Sequence, residues 1–119
     1  MKFSKKLDYA LYLLDILKKN KEKPTSINTV AEEHKLPRAF MEKVALELKK
    51  GGLIKALKGR EGGYVLAKKT KEINLGEVIA IFEEKEDCGA CFYAQTCPTR
   101  KIKTEVNEEV KKIFEKRKL

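Results

Sequence analysis

Apolar residues near the start of this chain recur every three or four positions, a spacing that predicts an amphipathic helix. The helix runs from about residue 5 to residue 19. Its apolar stripe consists of Leu7, Ala10, Leu11, Leu14 and Leu17. The polar segment from Asn20 to Pro24 ends it. We therefore expect a first helix that buries one face.

Two further helices are predicted on either side of a brief turn. Capping residues cluster at positions 25–29, so a second, short helix begins there and runs to about His34. Pro37 suits the first turn of a third helix, which Gly51-Gly52 ends. Its apolar face consists of Phe40, Met41, Val44, Ala45 and Leu48. Such a pair, with a basic and amphipathic second helix, is typical of a helix-turn-helix.

A glycine-rich hairpin follows the third helix. Short β-rich runs at 53–57 and 64–66 flank the segment Lys58-Gly59-Arg60-Glu61-Gly62-Gly63. Three glycines between two such runs predict a hairpin with a charged tip. A basic hairpin directly after a helix-turn-helix is a wing.

The last third of the chain predicts two more helices. Asn74 caps the fourth helix, with Glu77 as its capping-box partner. The final helix begins at Pro98 or Thr99 and reaches about Arg117. Its sparse apolar stripe consists of Ile102, Val106, Val110, Ile113 and Phe114. We expect this stripe to pack against the same helix of a second subunit, and the alternative is packing on its own domain.

These elements define a mainly α-helical protein with a small β-hairpin, a winged helix-turn-helix followed by a long C-terminal dimerisation helix. Residues 1–72 are the predicted DNA-binding region. Residues 73–119 hold the fourth helix, a cysteine loop and the dimerisation helix. At 119 residues both regions fit within one compact domain.

The net charge of +9 is unevenly distributed. Residues 1–71 contain 18 Lys and Arg against 8 Asp and Glu, a net charge of +10. Residues 72–119 contain 9 against 10, a net charge of −1. This asymmetry favours a polyanionic partner for the first part, namely double-stranded DNA. The alternative explanation is a solvated surface rich in Lys and Glu.

Other classes of protein are disfavoured. No apolar run approaches the roughly 18 residues that a membrane span needs, so we expect no membrane partner. The first residues lead into an amphipathic helix rather than a signal-peptide core, which favours the cytoplasm. The chain contains no Ser/His/Asp set and no phosphate-binding loop, so we do not expect an enzyme.

The predicted third helix and wing supply candidate DNA contacts. Glu42 can accept a hydrogen bond from cytosine N4, and Arg38 and Lys43 can reach guanine or phosphate. Lys58 and Arg60 of the wing can enter a minor groove, where negative potential attracts cations. Candidates for phosphate contacts, which position without specifying sequence, are Lys5, Lys6, Lys49, Lys50 and Lys55.

All three cysteines of the chain lie within ten residues, at Cys88, Cys91 and Cys97. Close thiolate spacing is typical of iron–sulfur ligation, and zinc prefers four ligands. A reversible disulfide between Cys88 and Cys91, or no cofactor, are the other interpretations. The single histidine, His34, is distant in sequence and is expected to be solvated or to cap its helix.

The combination of these motifs resembles the Rrf2 family of bacterial winged-helix transcription regulators over essentially the whole chain. The resemblance is carried by Asp8-Tyr9-Ala10-Leu11, Leu36-Pro37-Arg38-Ala39-Phe40-Met41-Glu42-Lys43, Lys58-Gly59-Arg60-Glu61-Gly62-Gly63-Tyr64-Val65-Leu66 and the cysteine trio. It implies that Ala39 and Gly59 join the charged candidates in DNA binding.

The resemblance further implies a homodimer crossed through the C-terminal helix, a palindromic operator and a [2Fe–2S] or [4Fe–4S] cluster. In one branch of the family the fourth ligand is a histidine, but that position is Arg100 here. In the nitric-oxide-sensing branch it is an aspartate of the partner's first helix, which matches Asp8. Two departures are a gap of only two residues between Cys88 and Cys91, and Lys58 where arginine is usual.

The sequence therefore predicts a DNA-binding transcriptional regulator that senses redox state, nitric oxide or iron through an iron–sulfur cluster. One alternative is a cofactor-free, thiol-redox or zinc-bound repressor of the same fold. Another is a protein-interaction module that does not bind DNA.

Overall fold

The computed structural model describes residues 3–60, 62–82 and 98–119. The elements, in chain order, are α1 (Lys5–Lys19), α2 (Ile27–His34), α3 (Arg38–Lys50), β1 (Ile54–Leu57), β2 (Gly63–Leu66), α4 (Leu75–Phe82) and α5 (Pro98–Lys116). A single 3-10 turn, Thr70–Glu72, precedes α4. The predicted helices and the hairpin are confirmed, as is the mainly α-helical fold class.

The first helix forms the centre of the core. Ser4 Oγ caps α1 by accepting the N–H of Leu7 at 3.2 Å. Its buried residues are Leu7, Ala10, Leu13, Leu14 and Leu17. The prediction was wrong at one position of this stripe, because Leu13 is fully buried whereas Leu11 is only half-buried. The reason is that α1 packs against α3, α4 and β2 together, so its buried face is not a single stripe.

A left-handed residue separates the two helices of the helix-turn-helix. Lys35 has φ of 53°, and the N–H of Leu36 bonds to Ala31 O at 3.0 Å, which closes α2. Pro37 then caps α3 in an extended conformation. The buried residues of α3 are Met41, Val44, Ala45 and Leu48, as the apolar periodicity predicts, and Phe40 is half-buried.

The hairpin is attached to the start of α2 by a third backbone segment. β1 and β2 pair antiparallel, from Ile54 opposite Leu66 to Leu57 opposite Gly63. Thr25 pairs with Tyr64 through two backbone hydrogen bonds of 3.0 and 2.8 Å. A Cβ atom at Gly63 would lie 2.5 Å from the Thr25 carbonyl, so only glycine permits this approach. The wing and α2 are thereby fixed to one another.

The predicted capping box at α4 is present. The N–H of Glu77 donates to Asn74 Oδ1 at 3.0 Å, and the N–H of Asn74 donates to Glu77 Oε2 at 3.4 Å. Ile73 and Val78 belong to the same core cluster as the buried residues of α1 and α3. The region after residue 72 therefore shares its core with the winged helix.

The last helix is attached to the domain at its C-terminal end. The N–H of Leu119 donates to Ile73 O at 2.9 Å, and the N–H of Leu75 donates to Arg117 O at 2.9 Å. The rings of Phe114 and Phe3 lie 6.2 Å apart. Three residues of the predicted stripe point outward, because Ile102, Val106 and Ile113 are 61%, 50% and 65% exposed, whereas Val110 is half-buried. Among the described helices, none is long and apolar enough to cross a membrane.

Gly63→Ala is expected to destabilise the fold by about 1–3 kcal/mol, because the added methyl group collides with the Thr25 backbone. Urea denaturation followed by circular dichroism measures the free energy of unfolding. Lys55→Ala, at an exposed position of the same hairpin, is the control and should change it by less than about 0.5 kcal/mol. Equal stability of Gly63→Ala and the unmodified chain would contradict the Thr25–Tyr64 pairing.

Candidate nucleic-acid interface

One face of α3 carries its exposed residues. We call it the α3 face, and its members are Arg38, Ala39, Glu42, Lys43, Leu46, Lys49 and Lys50. At 3.6 residues per turn these positions fall within an arc of about 140°. The buried residues of α3 lie on the opposite side. The packing that fixes α3 in the core therefore turns this largely polar face outward.

Two predicted base-reading residues form an ion pair with each other. Arg38 Nε donates to Glu42 Oε1 at 3.3 Å across one helical turn. Their side chains are 64% and 53% exposed, so the pair contributes only about 0.3–0.5 kcal/mol to stability. Its consequence is geometric, because it holds a donor and an acceptor together at the start of α3. Lys43 and Ala39 flank this pair and are both exposed.

The tip of the wing presents two cations on a tight turn. Lys58 and Arg60 are exposed, and Gly59 between them has φ of 122°, a value that L side chains rarely adopt. The N–H of Gly62 donates to Gly59 O at 3.0 Å and closes the turn. Glycine at these positions therefore sets the conformation that projects the two basic side chains. Glu61 lies outside the described residues.

The first helix positions α3 through side-chain contacts near both ends of α3. The rings of Tyr9 and Phe40 meet edge to face with their centroids 5.2 Å apart. Lys6 Nζ lies 3.5 Å from Glu47 Oε1. Lys6, a predicted phosphate contact, is thus paired with α3 in this structure. The other predicted phosphate contacts, Lys5, Lys49, Lys50 and Lys55, are exposed.

Of the four predicted cluster ligands, the structure describes Asp8. Cys88, Cys91 and Cys97 lie outside the described residues. Asp8 is exposed in the first turn of α1, between the contact residues Lys6 and Tyr9. Within the described ranges, no three His, Cys, Asp or Glu side chains are grouped so as to hold a metal ion. The exposed carboxylate of Asp8 fits the chemistry of a ligand given to another subunit.

The histidine is accounted for by a local contact. His34 is exposed, and its Nδ1 lies 2.8 Å from Tyr12 Oη. The two rings meet edge to face at 5.3 Å. This contact joins α1 to the last turn of α2, close to the turn that leads into α3. It agrees with the expectation that His34 is a surface residue.

Two residues of this region were missed by the sequence-based prediction. Thr25 joins the wing to α2 by backbone pairing, for which the sequence contains no side-chain signal. Leu46 lies on the α3 face and is 46% exposed. Its spacing of four residues from Glu42 places it on that face, so helical periodicity alone could have found it.

The helix-turn-helix, the basic hairpin beside it and the polar α3 face define a winged-helix protein. The family model of Rrf2, described as an iron-dependent transcriptional regulator, matches residues 3–119. The chain therefore belongs to the Rrf2 family. This description is that of a regulator of transcription and not of an enzyme, in agreement with the sequence-based expectation.

Curated relatives support the same assignment. An HTH-type transcriptional regulator of Aquifex aeolicus is 38% identical over 92 residues, which are 77% of this chain and 64% of that protein. The HTH-type transcriptional regulator NsrR of Shouchella clausii is 39% identical over 97 residues, 81% of this chain and 65% of the other. The chain thus spans just under two thirds of the length of these relatives.

Solved structures share the fold. T. potens IscR superposes with a TM-score of 0.79 at 26% identity, covering 99% of this chain and 82% of that one. CymR, the global cysteine regulator of B. subtilis, superposes with a TM-score of 0.74 at 27% identity, covering 99% and 92%. The predicted winged-helix architecture is therefore confirmed.

Proposed function

We propose that this chain is a sequence-specific, DNA-binding transcriptional regulator that acts as a homodimer on a palindromic operator. The observation that carries the proposal is the α3 face, an outward polar surface on the second helix of a helix-turn-helix that is followed by a basic wing. A recognition helix of this kind fits the major groove of DNA. The relatives named as HTH-type transcriptional regulators support the same function.

The exposed side chains divide into groups by the DNA atoms that they can reach. Glu42 accepts a hydrogen bond from cytosine N4, and Arg38 donates to a guanine nearby, so their ion pair orients both for one base step. Lys43 reaches guanine or phosphate. Lys58 and Arg60 enter the adjacent minor groove. The exposed lysines of α1, α3 and β1 contact phosphates, which sets the position of the protein on the duplex.

The homodimer is supported by the exposed part of α5. Ile102, Val106 and Ile113 are at least half exposed, although they repeat at helical spacing. The end of α5 is held by its own domain through the ring of Phe114 and the backbone of Leu119, and the exposed apolar side chains lie along the preceding turns of the helix. A second copy of α5 would cover these side chains and bring two winged helices to two half-sites of a palindrome.

For sensing, we propose an iron–sulfur cluster, [2Fe–2S] or [4Fe–4S], held by Cys88, Cys91 and Cys97 with Asp8 of the partner subunit as fourth ligand. The family description as iron-dependent supports this proposal. When bound, the cluster supplies chemistry that responds to redox state, nitric oxide or iron supply.

The position of Asp8 explains how a ligand could affect DNA binding. Asp8 lies in α1 between Lys6 and Tyr9, and both of these neighbours contact α3. A constraint on Asp8 therefore acts on the helix that orients the α3 face. The expected result is a shift in the equilibrium between two positions of the DNA-binding regions.

A second candidate is a regulator of the same fold that senses through its thiols, without a cluster. The similarity to CymR, a protein named as a cysteine regulator, favours this alternative. Anaerobic purification followed by absorption spectroscopy and iron, zinc and sulfide analysis separates the candidates. A colourless protein without iron or sulfide supports the thiol mechanism, and bound zinc alone supports a zinc-bound repressor.

Arg60→Ala is expected to weaken duplex binding about tenfold, because it removes the cation that the wing presents to the minor groove. Fluorescence anisotropy with a selected duplex at fixed salt measures the dissociation constant. Lys21→Ala is the control, since it removes one exposed positive charge from the segment between α1 and α2, which belongs neither to α3 nor to the wing. Absent or salt-insensitive duplex binding by the unmodified chain would contradict DNA binding and favour a protein-interaction module.

Val106→Lys is expected to convert the dimer to a monomer, because it places a charge in the exposed apolar stripe of α5. Sedimentation velocity measures the mass in solution. Asn107→Lys adds the same side chain at the neighbouring exposed position and should leave the dimer intact. A monomeric unmodified chain, or an unaffected Val106→Lys dimer, would contradict pairing through α5.

Aerobic chemical removal of iron is expected to change operator affinity at least about tenfold. A factor of this size is typical of the coupling between two binding sites. Anisotropy at fixed salt, before and after removal, measures the change. Asp8→Asn should abolish the response, whereas Asp15→Asn, another exposed carboxylate of α1, should retain it. Unchanged affinity after iron loss would contradict sensing through a cluster.

A further inference from the structure

Leu46 is the one large apolar side chain on the α3 face. Leu46 is 46% exposed, whereas Leu48, the other leucine of α3, is fully buried. The remaining members of the face are Arg38, Ala39, Glu42, Lys43, Lys49 and Lys50. Single exposed leucines are common on protein surfaces, so exposure by itself carries no function. Its position among these residues is what distinguishes Leu46.

Helical geometry puts Leu46 near the middle of the α3 face. It follows Glu42 by four residues and Ala39 by seven, which corresponds to rotations of about 40° and about 20° around the axis. Along the axis it lies about 6 Å beyond Glu42. Because stacked base pairs are about 3.4 Å apart, a helix lying along the groove carries Leu46 about two base pairs past the pair that Glu42 reads.

The residues around Leu46 indicate what covers it. Lys43, Lys49 and Lys50 surround it on the same face and are exposed. A partner that fits must therefore offer an apolar group at the centre and negative charge at the edges. The major groove does so, since a thymine projects its C5 methyl group there and phosphates line both sides. An apolar protein surface would leave the three lysines without counter-charges.

We propose that Leu46 reads the C5 methyl group of a thymine in the operator and is a specificity-determining residue of the recognition helix. The proposal rests on the proposed function, because it needs the α3 face to enter the major groove. The contact adds an apolar criterion to the polar reading by Arg38 and Glu42. Removing one methyl group from this contact should cost about fourfold in affinity.

A thermodynamic cycle between one side chain and one methyl group tests the contact. The probe is a duplex of about 30 base pairs, enough for two half-sites, selected from a randomised pool by binding to the unmodified full chain. Each thymine is then replaced in turn by deoxyuridine, which removes the methyl group and keeps every base-pairing atom. The dissociation constants of the unmodified chain and of Leu46→Ala are measured by anisotropy on each duplex at one salt concentration.

The unmodified chain should lose about fourfold in affinity at one thymine per half-site. Leu46→Ala should bind the thymine duplex more weakly than the unmodified chain does. Replacing that thymine by deoxyuridine should then cause no further loss of affinity, because the contact with the methyl group is already absent. Folding should be little affected, since the residue is exposed and alanine favours a helix, and a thermal melt checks this. Leu57→Ala is the matched control, a leucine that is 42% exposed outside α3, and it should retain the full loss at that thymine.

The possible failures are distinguishable. If the unmodified chain selects and binds a duplex, but Leu46→Ala loses as much affinity on deoxyuridine substitution as the unmodified chain does, the methyl contact is overturned and DNA binding stands. An absence of any thymine whose replacement weakens binding overturns it equally. If the unmodified chain binds no duplex, the proposed function itself fails.

Discussion

The packing of α1 against α3 is the constraint on which the rest of this structure depends. Leu13 and Leu14 of α1 and Met41 and Leu48 of α3 are fully buried in one core cluster. Interiors are close-packed, so these side chains fix the rotation of α3 about its own axis. Once that rotation is fixed, the opposite side of α3 can only face solvent. The polar α3 face is therefore a consequence of how the core packs, and its orientation needs no contact made by its own residues.

The first helix, α1, and the segment just before it also contact the C-terminal end of α5 and the residues that follow it. Lys18 Nζ donates to Leu119 O at 2.8 Å, and Phe3 just before α1 meets Phe114 of α5. The backbone of Leu119 pairs with Ile73 ahead of α4. Displacement of the C-terminal end of α5 would thus act on α1, and through α1 on α3. The structure offers a short physical path between the C-terminal end of α5 and the α3 face, made of packed side chains and backbone hydrogen bonds.

The conformation of the wing depends on few residues. Gly59 adopts a positive φ that projects its basic neighbours, and Gly63 admits the Thr25 backbone at a distance that any side chain would block. Both glycines act through the absence of a Cβ atom. The first controls where charge is presented, and the second holds the hairpin against α2. The presentation of charge at the tip and the attachment of the hairpin to α2 are therefore set by different glycines.

The sequence by itself determined the helices, the hairpin, the capping box of Asn74 and Glu77, and the polar composition of α3, because helical periodicity and capping are local properties. Tertiary structure decided the contacts between elements, which local sequence patterns do not specify. It buried Leu13 in place of Leu11, since α1 is surrounded by three elements. It joined Thr25 to Tyr64 through backbone atoms, which leave no side-chain signature. It also paired Lys6 with Glu47, because two residues 41 positions apart meet only when the core brings their helices together.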